Sequence, residues 1–163
     1  MITGKGRCNI TSSLDISDFI NNVPGNGRFL YSAFENFNNT DIIELLKKEG
    51  VNVKEERGNR IFPVSDRAED VRFALEKATR NAGVQVKLNT KVTGIEVENG
   101  SVKKVNFQGG SVCADKVILA TGGKSYPLTG STGDGYKIAE KVGHTIKNVR
   151  GSLVPLIAEK SVC

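Results

Sequence analysis

In the first half of the chain, apolar residues recur at the spacing of one helix face. The predicted helices cover residues 15–23, a segment with Phe29, Leu30, Ala33, Phe34 and Phe37, residues 41–49 and residues 66–81. Thr40 and Ser65 are expected to cap the last two helices, which Gly50 and Gly83 should end. Strands are predicted around Val51 and Val53 and at residues 60–64. The aromatic residues are therefore expected in a hydrophobic core rather than against a cofactor.

The second half of the chain alternates apolar and polar residues, a pattern typical of β-strands. It predicts strands at residues 84–88, 92–97 and 102–107, the last two joined by a hairpin turn at Asn99-Gly100. A continuous apolar run predicts a buried strand at residues 115–120, and residues 133–142 predict a helix that Gly143 ends. Together these elements predict an α/β fold with a small inserted β-meander.

Composition indicates a soluble globular protein, because the 163 residues are 38% apolar and 25% charged and suit one domain with an appended lobe. No apolar run approaches the roughly 18 residues of a membrane helix, and the first residues lack the apolar core of a signal peptide. Cys8, Cys113 and Cys163 are too widely spaced to suggest a disulfide framework or a zinc site. We therefore expect a cytoplasmic protein without a metal or a membrane partner.

The net charge of +5 is a weak argument for an anionic ligand. Positive and negative residues alternate, and the longest basic runs are pairs such as Lys47-Lys48 and Lys103-Lys104. Nucleic acid is therefore not expected as a partner, and a small-molecule substrate is.

Glycine, at 18 of 163 residues, is concentrated at a few places that are candidates for ligand binding. The predicted strand at residues 115–120 stops at Thr121-Gly122-Gly123, where a ligand could approach the backbone without meeting a Cβ. An ordinary tight turn explains the same residues equally well.

The second candidate is Ser131-Thr132-Gly133-Asp134-Gly135, which leads into a predicted helix. Amides at a helix N-terminus suit a phosphate or the edge of an electron-rich ring. Asp134 either hydrogen-bonds a ribityl or ribose hydroxyl or, as the residues alone favour, only stabilises the helix N-terminus.

The third candidate is the stretch at residues 2–11, ITGKGRCNIT. It is either a loop that wraps a diphosphate, with Arg7 as a charged donor, or a flexible terminus. Cys8 would be reactive only if Lys5 and Arg7 lowered its pKa, and an unreactive thiol is favoured. The lone His144 follows a predicted helix and is more readily a helix-end residue than a general acid. No catalytic residue is predicted.

Four segments in order carry a family resemblance: TGKGRCNIT (residues 3–11), ERGNRIFPVSDRAEDV (56–71), ADKVILATGGKSYPLTGSTGDGYKIAEKVGH (114–144) and SLVPL (152–156). Together they resemble a bacterial family of NAD(P)/FAD-dependent oxidoreductases, also described as aminoacetone-oxidase-like flavoproteins, which includes reductases of bile-acid intermediates. The resemblance implies a partial FAD-binding Rossmann-like domain of the glutathione-reductase type over residues 1–151. An inserted substrate lobe would begin at residues 152–163. FAD would be the cofactor, with NAD(P)H as a candidate electron donor.

The resemblance also assigns residues to the cofactor. Gly6, Arg7, Cys8 and Asn9 would lie along FAD, and the backbone of Val92 would contact the adenine. Ala120, Thr121, Gly122 and Gly123 would pass the cofactor, and Thr132, Gly133, Asp134 and Gly135 would approach its flavin end.

Family members begin with a strand, a GxGxxG turn and a helix that bind the dinucleotide, whereas this sequence opens at Met1-Ile2-Thr3 without them. We therefore expect an internal fragment of a hydride-transferring FAD enzyme that binds FAD weakly or not at all by itself. The alternative is a non-catalytic binding or assembly module. In either case an exposed sheet edge would pair with a complementing N-terminal fragment or with a second copy.

Overall fold

A computed structural model describes residues 6–125 and 127–151. They fall into two compact units, Met1–Val86 and Lys87–Cys163. In the first unit the helices are α1 (Ile16–Asn21), a 3₁₀ turn (Gly27–Leu30), α2 (Tyr31–Asn36), α3 (Asn39–Lys48) and α4 (Ala68–Asn81). These elements confirm the helices predicted for the first half, with one of them divided into the 3₁₀ turn and α2.

Helix α3 begins with a cap that differs from the predicted one. The side chain of Asn38 accepts hydrogen bonds from the backbone N–H groups of Thr40 and Asp41, at 2.8 and 3.3 Å. The carboxylate of Asp41 in turn accepts from the N–H of Asn38 at 2.6 Å, which completes a capping box. The prediction that Thr40 caps the helix is therefore wrong, because Asn38 and Asp41 satisfy the free amides reciprocally.

Helix α4 also starts later than predicted. Asp66 has a left-handed backbone conformation, with φ at 56°, so it cannot form the first turn. The helix begins at Ala68 without a side-chain cap, and the expected capping role of Ser65 is wrong. At the other ends, Gly50 (φ 93°) and Gly83 (φ 74°) follow α3 and α4 as predicted.

A three-stranded antiparallel sheet accompanies these helices, in the order β1 (Thr11–Ser12), β3 (Arg60–Pro63), β2 (Val53–Glu56). Strands β2 and β3 form a hairpin, and Thr11 of β1 lies opposite Ile61 of β3. A buried core cluster of this unit consists of Leu46, Val51, Val71 and Ala74, with Cys8, Ile10 and Ile42 packed against it. The beginning of the described chain is thus fixed to a packed unit.

The second unit contains a β-meander, β4 (Val92–Glu98), β5 (Ser101–Phe107) and β6 (Gly110–Cys113), followed by a 3₁₀ turn (Pro127–Thr129) and α5 (Asp134–Lys141). The predicted hairpin is confirmed. Asn99 (φ 50°) and Gly100 (φ 75°) both have positive φ, as a type I′ turn requires. Gly143 (φ 96°) follows α5, also as predicted.

Two predicted strands are wrong for the residues that the structure describes. Neither residues 84–88 nor residues 115–120 hydrogen-bond to a neighbouring strand, and Val86, Leu88 and Ile118 are 60%, 79% and 92% exposed. An apolar pattern indicates that a segment suits a sheet, but a strand forms only where a second backbone supplies the hydrogen bonds. Both described sheets are antiparallel, and their mixture with helices is consistent with a partial α/β domain.

Among the helices of the described residues, none is both long enough and apolar enough to cross a membrane.

Candidate functional site

The loop Gly6–Asn9, predicted to lie along FAD, belongs to the first unit. The guanidinium of Arg7 donates from Nε to Oδ1 of Asp66 at 2.9 Å and from Nη2 to the carboxylate of Glu56. It also lies over the ring of Phe62, with Cζ 4.2 Å from the ring centroid. Arg7 therefore binds carboxylates of its own chain, and its contact with a diphosphate stays a prediction.

The side chain of Cys8 is half-buried and packs against the core of the first unit. This burial raises the pKa of the Cys8 thiol, because a thiolate is poorly solvated there. The idea that Lys5 and Arg7 lower this pKa is wrong as far as Arg7 is concerned, since its charge is taken up by Glu56 and Asp66. Lys5 lies outside the described residues.

Two turns predicted to contact the cofactor, at residues 120–123 and 132–135, come together in the second unit. A Cβ placed on Gly135 would lie 2.2 Å from Oγ1 of Thr121, and one placed on Gly122 would lie 3.4 Å from Oγ of Ser131. The absence of side chains on these glycines lets the turn at residues 120–123 and the start of α5 pack directly against each other. Ala120, Thr121 and Gly122 are nevertheless exposed, so this junction offers a surface of bare backbone.

Asp134 is the first residue of α5, which has Gly133 (φ 80°) as its N-cap and no capping side chain. Its carboxylate lies 3.4 Å from Nζ of Lys91 and 3.6 Å from Nζ of Lys137. A hydrogen bond from Thr132 and the ammonium of Lys91 hold the pKa of Asp134 below its usual range. Asp134 is therefore an ionised acceptor beside an exposed hydroxyl.

Val92, the predicted adenine contact, is the first residue of β4 and lies opposite Phe107. The register shifts between Val92 and Gly94, which marks an irregular strand end. The neighbouring residue Lys91 joins this strand end to α5 through its ion pair with Asp134. Sequence reasoning missed Lys91, because nothing in the local pattern links it to a turn more than forty positions away.

These residues fit a sugar-bearing cofactor in their chemistry. Thr121, Thr132 and Asp134 provide two hydroxyls and one carboxylate, the groups that hydrogen-bond ribityl or ribose hydroxyls. The exposed backbone of Gly122 lies at the same junction. Among the described residues, no group of three or more His, Cys, Asp or Glu side chains is arranged to hold a metal ion.

Comparison with known proteins places the sequence in a family. The family described as "HI0933-like protein Rossmann domain" matches residues 1–152. The chain is 34% identical over 165 residues to a 3-dehydro-bile acid delta(4,6)-reductase of Clostridium scindens, covering 98% of the chain and 38% of that protein. It is 30% identical over 162 residues to the ribosomal RNA dihydrouridine synthase of Escherichia coli, covering 98% of the chain and 39% of that protein.

A ribosomal RNA dihydrouridine synthase of Haemophilus influenzae is also 30% identical, over 95% of the chain and 39% of its own length. The chain thus spans about two fifths of the length of the curated relatives that it matches. Since the family match extends over residues 1–152 of 163, the chain belongs to the HI0933-like Rossmann-domain family, the FAD-dependent oxidoreductases that its four segments resemble.

Proposed function

We propose that this chain forms part of an FAD-dependent oxidoreductase that transfers hydride between the flavin and an organic substrate. The junction of the two glycine turns at residues 120–123 and 132–135 carries the proposal, because it combines exposed backbone with Thr121, Thr132 and ionised Asp134. When bound, the isoalloxazine ring supplies the hydride chemistry, and the protein supplies binding and orientation.

Asp134 gives the junction a preference among the parts of the cofactor. A carboxylate in the first turn of a helix would repel a phosphate that approached the amides at the helix N-terminus. The same carboxylate accepts hydrogen bonds from hydroxyl groups. We therefore assign Thr132 and Asp134 to ribityl or ribose hydroxyls and expect the diphosphate to be held by other groups.

The names of the relatives suggest the kind of bond that is reduced. One relative is named a 3-dehydro-bile acid delta(4,6)-reductase and another a ribosomal RNA dihydrouridine synthase. We infer that addition of hydrogen to a carbon–carbon double bond conjugated with a carbonyl accounts for both names. We propose the same reaction here, in which a hydride from the reduced flavin adds to one carbon and a proton completes the other. NAD(P)H is the proposed source of the flavin's electrons.

The first test measures FAD binding. The 163-residue chain is mixed with FAD, with and without the N-terminal segment of the Clostridium relative that lies outside the matched region, and passed through a size-exclusion column. We expect flavin absorbance to elute with the protein only when the segment is present. Flavin that co-elutes stoichiometrically with the chain alone would contradict the expectation of weak binding by itself.

The complemented protein then allows the site to be tested. Asp134→Asn keeps the side-chain size but loses the negative charge, and we expect it to weaken FAD binding. Asp115→Asn is the matched control, because Asp115 is an exposed carboxylate of the same unit. Equal FAD affinity in both variants would remove Asp134 from the site.

The proposed reduction of a conjugated double bond is tested with the complemented protein. Its bound flavin is first reduced by NAD(P)H in the absence of oxygen. A steroid dienone, free uridine and ribosomal RNA are added separately, and reoxidation of the flavin is followed. We expect at least one conjugated substrate to reoxidise it with formation of the saturated product. Reoxidation by none of them would contradict the proposed substrate class.

A second candidate function, as an assembly module, is favoured by the exposed apolar residues of the two unpaired segments. Val84, Val86 and Leu88 are 54%, 60% and 79% exposed, and Ile118 is 92% exposed. We propose that residues 84–88 and 115–120 pair with strands of a complementing segment, which would cover these side chains. In this candidate, co-elution with the segment occurs without restored flavin absorbance.

A further inference from the structure

The loop Gly6–Asn9 has two exposed and two half-buried residues. Gly6 and Asn9 are exposed, whereas Arg7 and Cys8 are half-buried. Cys8 packs towards Leu46, Val51 and the rest of the first unit's core. The two central side chains of the loop therefore point to the protein, and the two flanking residues are open to solvent.

The Arg7 side chain is held on several sides. Its Nε and Nη2 atoms lie 2.9 and 2.7 Å from Oδ1 of Asp66, and Nη2 also pairs with Glu56. Phe62, itself 7% exposed, lies under one face of the guanidinium. A planar fork shared between two carboxylates and stacked on a ring is a geometry that arginine provides and lysine does not.

Lys54 completes a group of four charges around Arg7. Its Nζ lies 2.6 Å from Oδ2 of Asp66 and 3.5 Å from Oε1 of Glu56. Two cations and two anions leave the group with no net charge. The group therefore offers little attraction to a diphosphate, even though it contains an arginine.

The partners of Arg7 lie on a rigid frame. Glu56 and Phe62 belong to the hairpin of β2 and β3, and Asp66 follows β3. Immediately after the loop, the N–H of Ile10 donates to the carbonyl of Ile61 at 2.8 Å, and the chain enters β1. The loop is thus fixed to the hairpin through Arg7 at one end and through backbone hydrogen bonds at the other.

We infer that Arg7 is a positioning residue that anchors the loop Gly6–Asn9 to the β2–β3 hairpin, so that Gly6 and Asn9, and not the guanidinium, face the ligand. This inference rests on the proposed function for the identity of the ligand, FAD. The anchoring itself depends only on the contacts of Arg7 with Glu56, Asp66 and Phe62.

The anchoring is tested in the chain alone through the Cys8 thiol. Alkylation of each cysteine by N-ethylmaleimide is followed by mass spectrometry of its peptide, with exposed Cys113 as the internal reference. We expect Arg7→Leu and Glu56→Gln each to speed the alkylation of Cys8 about fivefold, the change in local opening that the net loss of one hydrogen bond brings. Arg7→Lys should give a smaller increase, because an ammonium cannot reproduce the fork.

Glu55→Gln is the matched control for the thiol experiment, since Glu55 lies on the same strand and, among the described residues, its carboxylate accepts only a long 3.4 Å bond from Asn59. Circular dichroism checks that each variant is folded. Unchanged alkylation of Cys8 in folded Arg7→Leu would overturn the anchoring role, as would equal acceleration in Glu55→Gln.

The orientation of the loop is tested by FAD affinity in the complemented protein. If Arg7 acts by positioning, Glu56→Gln weakens FAD binding as Arg7→Leu does, and the double variant is no weaker than either single one. If Arg7 contacts the diphosphate, Glu56→Gln frees the guanidinium and leaves or tightens the affinity, which would overturn the inference. If the complemented wild type binds no flavin, the proposed function is wrong. The alkylation of Cys8 in the chain alone still tests whether Arg7 anchors the loop.

Discussion

The contact between Gly135 and Thr121 makes a strong prediction about the candidate site. Gly135 is buried in the first turn of α5, and a Cβ at this position would lie 2.2 Å from Oγ1 of Thr121. Atoms separated by so little overlap, so Gly135→Ala must displace either Thr121 or α5. The backbone of Gly135 does not have a positive φ, so the substitution tests packing and not backbone strain.

Two opposing effects set the expected magnitude. Forcing one methyl group into a packed contact costs about 1–3 kcal/mol. Replacing glycine by alanine within a helix stabilises the folded state by about 0.5–1 kcal/mol. The midpoints of these two ranges leave a net loss of about 1.2 kcal/mol in the free energy of unfolding of Gly135→Ala, with a fall in Tm of roughly 2–5 °C for a chain of this size.

The assay is thermal and urea unfolding followed by circular dichroism. Thr121→Ala removes Oγ1 and leaves the nearest atom, Cβ, at 3.5 Å from the new methyl group, which is an ordinary contact. The double variant should therefore be more stable than Gly135→Ala alone. Gly94→Ala is the control, because a Cβ there meets no atom of the described residues within 4 Å. If Gly135→Ala is neutral, or if Thr121→Ala does not relieve it, the packing of the two turns is wrong.

Three further predictions follow from single contacts. Leu46→Ala, at a fully buried core position, should cost about 2–5 kcal/mol in unfolding experiments, whereas Leu88→Ala, 79% exposed, should cost little. Arg7 lowers the pKa of Glu56, and Lys54 lowers the pKa of Asp66. The two ion pairs therefore stabilise the folded chain fully at a pH above the ordinary pKa values of 4.5 and 3.8. This stabilisation is lost as the pH falls through the lowered pKa values of the two carboxyl groups. As the pH is lowered below these ordinary values, the Tm of wild type should approach the Tm of the double variant Glu56→Gln/Asp66→Asn. A Tm difference that does not change with pH would contradict the ion pairs. Gly123→Ala should leave Tm unchanged but weaken FAD binding in the complemented protein, as measured by flavin co-elution.

The local elements were predictable because their signals are local. Helices α3 and α4 carry an apolar face and end at Gly50 and Gly83, and the Asn99-Gly100 turn encodes its own positive φ angles. The cap at Asn38 was missed because Thr40 and Asn38 are both good capping residues, and only the reciprocal bond from Asp41 distinguishes them.

The unpaired segments show where sequence reasoning fails. Residues 115–120 have the composition of a buried strand, yet Ile118 is 92% exposed. The composition of a segment indicates whether it suits a buried environment. Whether the segment pairs as a β-strand depends on hydrogen bonds from a second strand, which its own sequence does not specify. Arg7 is a similar case, because its carboxylate partners lie 49 and 59 positions away in the chain.

The enrichment in glycine that first marked the candidate site has more than one physical cause. Gly122 (φ 72°) and Gly133 (φ 80°) are required by the backbone, and Gly135 is required by its contact with Thr121. Gly123 has neither requirement, because its φ is not positive and a Cβ there would lie 3.4 Å from the Tyr136 hydroxyl, at the edge of ordinary contact. Of these four glycines, Gly123 is thus the one for which close approach of a ligand to the backbone is the best remaining explanation. Loss of flavin without loss of stability in Gly123→Ala would therefore be direct support for the cofactor site, whereas the same loss in Gly135→Ala would not.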